Sequence, residues 1–155
     1  MLFTPHLAVG AAIGAATNNS LAAFLIGFIA HHILDLVPHT DSGSYAVHAE
    51  NIFKRPKILL FVLSDVLLGL ILFTILYTKS DYSPPVFWGS LGCIAPDLID
   101  NLPYTSKFLQ KFFPFNYYHK LHDIFHYTIS DRRHLWIGYL TQIFAIAVSI
   151  LYILR

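Results

Sequence analysis

The run ILLFVLSDVLLGLILFTILYT occupies residues 58–78 and is long enough to cross a lipid bilayer. About 20 residues of α-helix, at 1.5 Å per residue, cover the roughly 30 Å of a bilayer core. A second run of this kind extends from Leu135 to Leu154, with Gln142 as its most polar member. In the whole chain 55% of the 155 residues are hydrophobic and only 12% are charged, and globular proteins carry roughly 25% charged residues. These features predict an integral membrane protein whose single domain covers residues 1–155.

Shorter apolar segments accompany these two runs. They are Leu7–Thr17, Leu21–Leu36 and Pro85–Leu102. The polar trio Asn18-Asn19-Ser20 separates the first two, because such residues favour a turn. The segment Ser106–Ser130 mixes Lys, His, Phe and Tyr, and Pro114 interrupts it, which indicates one or two amphipathic helices at the membrane interface. We therefore predict an all-α, multi-pass helical bundle with about five apolar helices plus an amphipathic interfacial helix.

Basic residues concentrate in two connections between the apolar segments. They are Lys54, Arg55 and Lys57 in one, and Lys107, Lys111, Lys120, Arg132 and Arg133 in the other. The positive-inside rule places both connections in the cytoplasm, on the inner side of a plasma membrane. The net charge is only +1 and no basic face is visible, so nucleic acid is not expected as a partner. The single cysteine, Cys93, excludes an internal disulfide and a cysteine-based zinc motif.

Histidines and an aspartate cluster at the end of the second apolar segment. His31 and Asp35 are four residues apart, so they share one helix face and can reach one cation. His32 is three residues before Asp35, so either histidine could be the ligand. Pro38 stops the helix and allows His39 to fold back. The alternative interpretation is a helix C-terminus with interfacial histidines that the helix dipole favours.

A second histidine cluster lies in the amphipathic segment. His119, His122 and His126 are spaced i, i+3 and i+7, which also places them on one helix face. Two histidines one turn apart commonly bind metal, and zinc accepts mixed histidine and carboxylate ligands. The alternative is the polar face of a membrane-surface helix, although such faces normally favour Lys and Arg. His48 and His134 lie outside this pattern and are expected to be solvated.

Carboxylates complete the set of candidates. Asp97 and Asp100 are spaced i and i+3, although Asp100 also fits a water-exposed helix end. Asp65 interrupts an apolar span, where a carboxylate needs a partner, a proton or a cation. A single hydrogen-bonded structural aspartate is the alternative for Asp65. As catalytic groups, Asp65 or Asp100 could act as a general base or orient a ligating histidine.

These side chains predict a divalent metal site. Because the candidates are His and Asp without Cys, zinc is the first choice, with manganese or iron as alternatives. The candidates exceed the needs of one tetrahedral ion, so either two ions share bridging carboxylates or some residues orient the ligands. Additional candidate ligands are His32, His39 and His119. A Gly-x-Ser-x-Gly motif, a phosphate-binding Gly loop and a His-Glu-x-x-His motif are absent from the sequence.

At these residues the chain resembles the metal-dependent hydrolase family of the bacterial inner membrane. The matching elements are Thr4-Pro5-His6, the Gly-x-x-x-His-x-x-x-Asp stretch from Gly27 to Asp35, Pro96-Asp97-Leu98-Ile99-Asp100, and the pair His122 and His126. The resemblance implies six metal ligands, namely His6, His31, Asp35, Asp97, His122 and His126. A likeness of that family to zinc-dependent phospholipase C enzymes implies a phosphoester substrate.

Three functions are consistent with the sequence. The first is a membrane-embedded, metal-dependent hydrolase that acts on a phosphoester of a lipid or lipid-linked substrate at the cytoplasmic face. The second is a non-enzymatic protein that binds or transports cations or protons through the same acids. The third is a purely structural module, which leaves Asp65 unexplained. Clustering of the candidates at one face favours the enzyme, because a transporter needs polar residues along both membrane halves. The oligomeric state stays open.

Overall fold

A computed structural model of the chain describes residues 1–47 and 49–155, so the expectation for His48 lies outside the described residues. Within these ranges the chain forms α-helices, two short 3-10 helices (Gly43–Tyr45 and Ala49–Lys54) and no strand. The α-helices are α1 (Phe3–Ala16), α2 (Ser20–Leu36), α3 (Pro56–Lys79), α4 (Pro84–Asp100), α5 (Thr105–Leu109), α6 (Phe115–Phe125) and α7 (Leu135–Ile153). The prediction of an all-α fold is confirmed.

Each apolar segment of the sequence forms a helix at the expected place. The break between α1 and α2 falls at the polar trio, where the Asn19 side chain caps α2 by accepting a hydrogen bond from Ala22 N at 2.9 Å. The amphipathic segment forms two helices, α5 and α6, and Pro114 immediately precedes α6. Proline restricts the chain before it and has no N–H to donate, which explains the break.

The expected number of membrane-spanning helices is too high. Among the described residues only α3 and α7 are long and apolar enough to cross a membrane. Helices α1 and α2 contain 14 and 17 residues, which corresponds to roughly 21 and 26 Å of helix against about 30 Å of hydrocarbon. In the most apolar 18 residues of each helix, only 11% of α3 and 17% of α7 are buried within the protein. The core helix of a soluble domain is mostly buried.

The interior is built around α4, which packs against α1 and α2. Small residues allow this close approach. A methyl group placed on Gly10 would lie 2.5 Å from the carbonyl oxygen of Gly89, so the α1 and α4 backbones touch at a position where a Cβ atom has no room. The Ser90 hydroxyl also donates to the Leu7 carbonyl across this contact, at 3.1 Å.

Buried residues and exposed residues are distributed in reverse of the usual soluble pattern. Large apolar side chains such as Leu60 and Leu67 on α3, and Phe144 on α7, are exposed, whereas many buried side chains are His or Asp. These buried polar groups lie where the start of α1 meets the ends of α2 and α4. At this end of the molecule His39 contacts the segment after α6, where Ile129 N donates to His39 O at 2.9 Å.

Candidate metal centre

Asp35, in the last turn of α2, is the common neighbour of the buried polar groups. Its Oδ1 atom contacts the Met1 amino group and lies 3.1 Å from His6 Nε2. Its Oδ2 atom lies 3.1 Å from His31 Nε2 and 3.4 Å from His122 Nε2. The side chain is fully buried, so the two oxygens face different sets of partners. Asp35 can therefore bind two groups at once, one through each oxygen.

The first cluster consists of His31, Asp35, Asp97 and His122, and each residue offers one ligand atom. These four atoms lie within 4.8 Å of one another. Asp97 Oδ1 is 3.7 Å from His31 Nε2 and 3.8 Å from His122 Nε2. Two imidazoles and two carboxylates around one point form a donor set that zinc and other divalent ions bind.

Hydrogen bonds at the far side of each imidazole determine which nitrogen faces the cluster. His31 Nδ1 lies 2.8 Å from the Cys93 carbonyl oxygen, and His122 Nδ1 lies 3.0 Å from Asp100 Oδ2. Because these oxygens accept hydrogen bonds, both Nδ1 atoms carry the proton. Neutral His31 and His122 then present only lone pairs to each other across 3.1 Å. A cation or an extra proton between the two Nε2 atoms is needed to make that contact favourable.

Asp100 orients His122 from outside the cluster. Its Oδ2 atom is 2.9 Å from His119 Nδ1, and its Oδ1 atom accepts from Gln110 Nε2 at 3.0 Å. Burial alone would lower the pKa of His122, but its hydrogen bonds to Asp100 and Asp35 raise the pKa to about 9. The carboxylates thus make this position attractive to a positive charge. A carboxylate behind a ligating histidine is a frequent arrangement in metal sites.

A second cluster lies on the other side of Asp35 and consists of His39, Asp41 and His126. His126 Nε2 is 2.9 Å from both His39 Nε2 and Asp41 Oδ2, and His39 Nε2 is 3.3 Å from Asp41 Oδ2. Burial would raise the pKa of Asp41, but hydrogen bonds to the two histidines hold it well below its usual range. Asp41 is therefore a carboxylate within this cluster.

The remaining histidine candidates take positions beside the two clusters. His6 is fully buried, contacts Asp35 Oδ1 and stacks on the His31 ring at 4.1 Å. His32 Nε2 lies 3.3 Å from the Tyr118 hydroxyl, so His31 rather than His32 is the partner of Asp35 in this structure. The His119 side chain is 37% exposed and binds Asp100. His134 is exposed beside Asp131, as expected.

Asp65 stands apart from both clusters in its contacts. Its Oδ2 atom accepts from Phe3 N at 2.6 Å, and its Oδ1 atom accepts from Thr4 N at 3.2 Å. The Thr4 hydroxyl in turn donates to the Asp65 carbonyl at 2.8 Å. Asp65 therefore caps the start of α1, which lies three residues before His6, and this matches the structural alternative. Its catalytic role stays a prediction.

Asp41 is the cluster residue that sequence reasoning missed. It lies in the loop after α2, where no helical periodicity relates it to other candidates. Its only local signal is the spacing of His39 and Asp41, two residues apart after Pro38. The i and i+7 spacing of His119 and His126 was also misleading, because α6 ends at Phe125 and His126 adopts an extended conformation. His122 and His126 consequently enter different clusters.

An apolar groove runs beside the clusters between α1, α2 and α7. Its volume is about 810 Å³. The lining includes Met1 and Leu34 at one end, Ile13 and Phe144 along the walls, and Tyr152 at the other end. Because Met1 contacts Asp35, the groove reaches from the buried polar cluster along most of α7.

Comparisons of the chain with family models, curated proteins and solved structures found no match. The resemblance to inner-membrane metal-dependent hydrolases therefore stays a prediction, and the function is argued from the geometry.

Proposed function

We propose that the chain is a membrane-embedded, metal-dependent hydrolase that acts on a phosphoester of a lipid or lipid-linked substrate. The observation that carries the proposal is the convergence of His31, Asp35, Asp97 and His122, whose ligand atoms lie within 4.8 Å of one another. Asp35 and Asp97 supply two carboxylate oxygens to the same point. A divalent ion held there would polarise a phosphoester and lower the pKa of a bound water toward about 7.

The residues of the chain have separate tasks in this proposal. His31, Asp35, Asp97 and His122 hold the ion, with zinc as the first choice. Asp100 keeps the His122 ring in one orientation and one tautomer, through the contact at 3.0 Å. Asp97 is the most accessible of the four, with 21% of its side chain exposed. It therefore marks the side from which a substrate reaches the ion.

The apolar groove supports a lipid as the substrate. The groove runs along α7 from Leu140 to Tyr152, a length of about 18 Å at 1.5 Å per residue. Ligand pockets place most of the ligand against apolar side chains and use few polar groups for orientation. An acyl chain in the groove would place its polar end near Met1 and Asp35. The two apolar helices α3 and α7, with their exposed faces, support a membrane location, and we propose that the chain is a multi-pass protein of the inner membrane.

Hydrolysis of a long-chain phospholipid in mixed micelles tests the proposal. Tag-free protein loaded with zinc is expected to release the phosphoester product, which phosphorus NMR detects. Asp97→Asn should lose more activity than the roughly 10–100-fold that follows loss of an outer-shell partner. Asp131→Asn is the matched control, because Asp131 is exposed and pairs with Arg133 outside the clusters. The transport alternative would be favoured if metal-loaded protein hydrolyses no phosphoester. In that case the protein should also conduct cations or protons when it is reconstituted in vesicles.

A further inference from the structure

We propose that His39, Asp41 and His126 form a second divalent-cation site, adjacent to the first and joined to it through Asp35. The three ligand atoms form a triangle with edges of 2.9, 2.9 and 3.3 Å. Donor atoms around a tetrahedral zinc ion at 2.0–2.1 Å are separated by about 3.3 Å. The triangle is therefore close to the size of three ligands that share one ion.

The surroundings of the triangle support a ligand role for two of its members, His39 and Asp41. His39 Nδ1 lies 2.8 Å from the Val37 carbonyl oxygen, so it carries the proton and Nε2 presents its lone pair to the cluster. Asp41 Oδ1 accepts from Ser44 N at 3.2 Å, and Oδ2 accepts from the Thr128 hydroxyl at 3.1 Å. His39 is fully buried. These bonds fix the side chains before any ion arrives, as outer-shell partners do in metal sites.

The second site differs from the first in its number of ligands. The first cluster offers four protein ligands, whereas His39, Asp41 and His126 offer three. Asp35 completes a group with His39 and His126 in which the ligand atoms lie within 4.8 Å of one another. An ion at the second site would therefore share Asp35 with the first site, and Met1, which contacts Asp35, also lines one end of the apolar groove.

A shared carboxylate makes the two sites dependent on each other. Asp35 directs Oδ2 to the first cluster and Oδ1 toward Met1, whose amino group is 3.5 Å from His126 Nε2. The Met1 amino group occupies this space, so binding of the second ion requires this group to move aside. The inference extends the metal centre proposed above, and its test counts ions and does not depend on hydrolysis.

Titration of tag-free, chelator-treated protein with cobalt(II) tests the second site. The number of bound ions per chain is measured by elemental analysis, and the ligand field by visible absorption. We expect two ions in the wild-type protein, one in Asp41→Asn, one in Asp97→Asn, and weakened binding of both in Asp35→Asn. Asp131→Asn is the control, because Asp131 is exposed and pairs with Arg133 outside both clusters; it should still bind two.

The outcomes separate the two metal proposals. One ion in the wild-type protein and in Asp41→Asn, but none in Asp97→Asn, would overturn the second site and leave the first intact. The absence of any bound ion in the wild-type protein would overturn both. If Asp41→Asn loses helical circular dichroism, His39→Gln replaces it and should bind one ion if the second site exists, or the same number as the wild type if it does not.

Discussion

At the scale of single residues, the orientation of His122 by Asp100 leads to a first prediction. Asp100→Asn is expected to weaken zinc binding by roughly 10–100-fold, because the amide is a poorer partner for the His122 Nδ1 proton than the carboxylate. Competition with a chromophoric zinc chelator measures the affinity. Asp131→Asn, which changes an exposed aspartate, should leave the affinity unchanged. Equal affinities for Asp100→Asn and the wild type would mean that Asp100 does not support a metal ligand.

Asp65 provides the second prediction at this scale. Asp65→Leu removes the acceptors for Phe3 N and Thr4 N, so we expect it to destabilise the protein by about 0.5–2 kcal/mol, the usual effect of losing a helix cap. Asp65→Asn should cost less, because its amide oxygen still accepts one of these bonds. The stability of both variants is measured as the melting temperature in detergent. Ser64→Ala on the same helix is the control.

The result also separates the two interpretations of Asp65. A higher melting temperature for Asp65→Leu would contradict the capping role. A normal melting temperature for Asp65→Asn together with lost phospholipid turnover would support the catalytic role that the sequence predicts.

Reasoning from the sequence reached all four residues of the first cluster, and in the second cluster it reached both histidines but missed Asp41. The i and i+4 spacing of His31 and Asp35 was sufficient, because both residues lie inside one helix and the rule applies there. His126 follows the end of α6 and Asp41 lies in a loop. Helical spacing carries no information at such positions, since the backbone that brings them together depends on contacts between distant segments.

At the scale of elements, the contact between α1 and α4 positions His6 relative to Asp97. Gly10→Ala is expected to destabilise the protein by about 1–3 kcal/mol, because the added methyl group meets the Gly89 carbonyl and the backbone must shift. Zinc affinity should fall with it, since α4 carries the ligand Asp97 and α1 carries His6, which stacks on His31. Ala15→Leu, at an exposed position of α1, is the control. Unchanged melting temperature and affinity in Gly10→Ala would contradict the close packing.

Hydropathy predicted the helical elements well but not how many of them cross a membrane. The apolar segments correspond to helices of the structure, and the predicted break at Pro114 lies between α5 and α6. Helices α1 and α2 are too short to span, because Asn19 caps α2 at its start and Val37 and Pro38 follow its end. Helix length therefore depends on a few capping and breaking residues, to which mean hydropathy is insensitive.

At the scale of the whole molecule, the apolar groove is a feature that no segment of sequence encodes, because α1, α2 and α7 must pack to create it. We predict that Val148→Trp, which fills the groove, reduces turnover of a long-chain phospholipid several-fold and leaves bound zinc unchanged. Leu151→Trp, at an exposed position of α7 outside the groove lining, is the control. Equal losses of activity with a short, water-soluble phosphoester would argue against a chain-binding role of the groove.

The central claim is that the buried His and Asp residues bind a divalent metal ion, and metal content of the purified protein tests it most directly. Protein isolated without a His-tag or chelator should contain at least about one divalent ion per chain. Its removal should lower the melting temperature, and zinc at about 100 times its dissociation constant should restore roughly 2.7 kcal/mol of stability. Protein without metal, whose melting temperature does not respond to added zinc, would contradict the account.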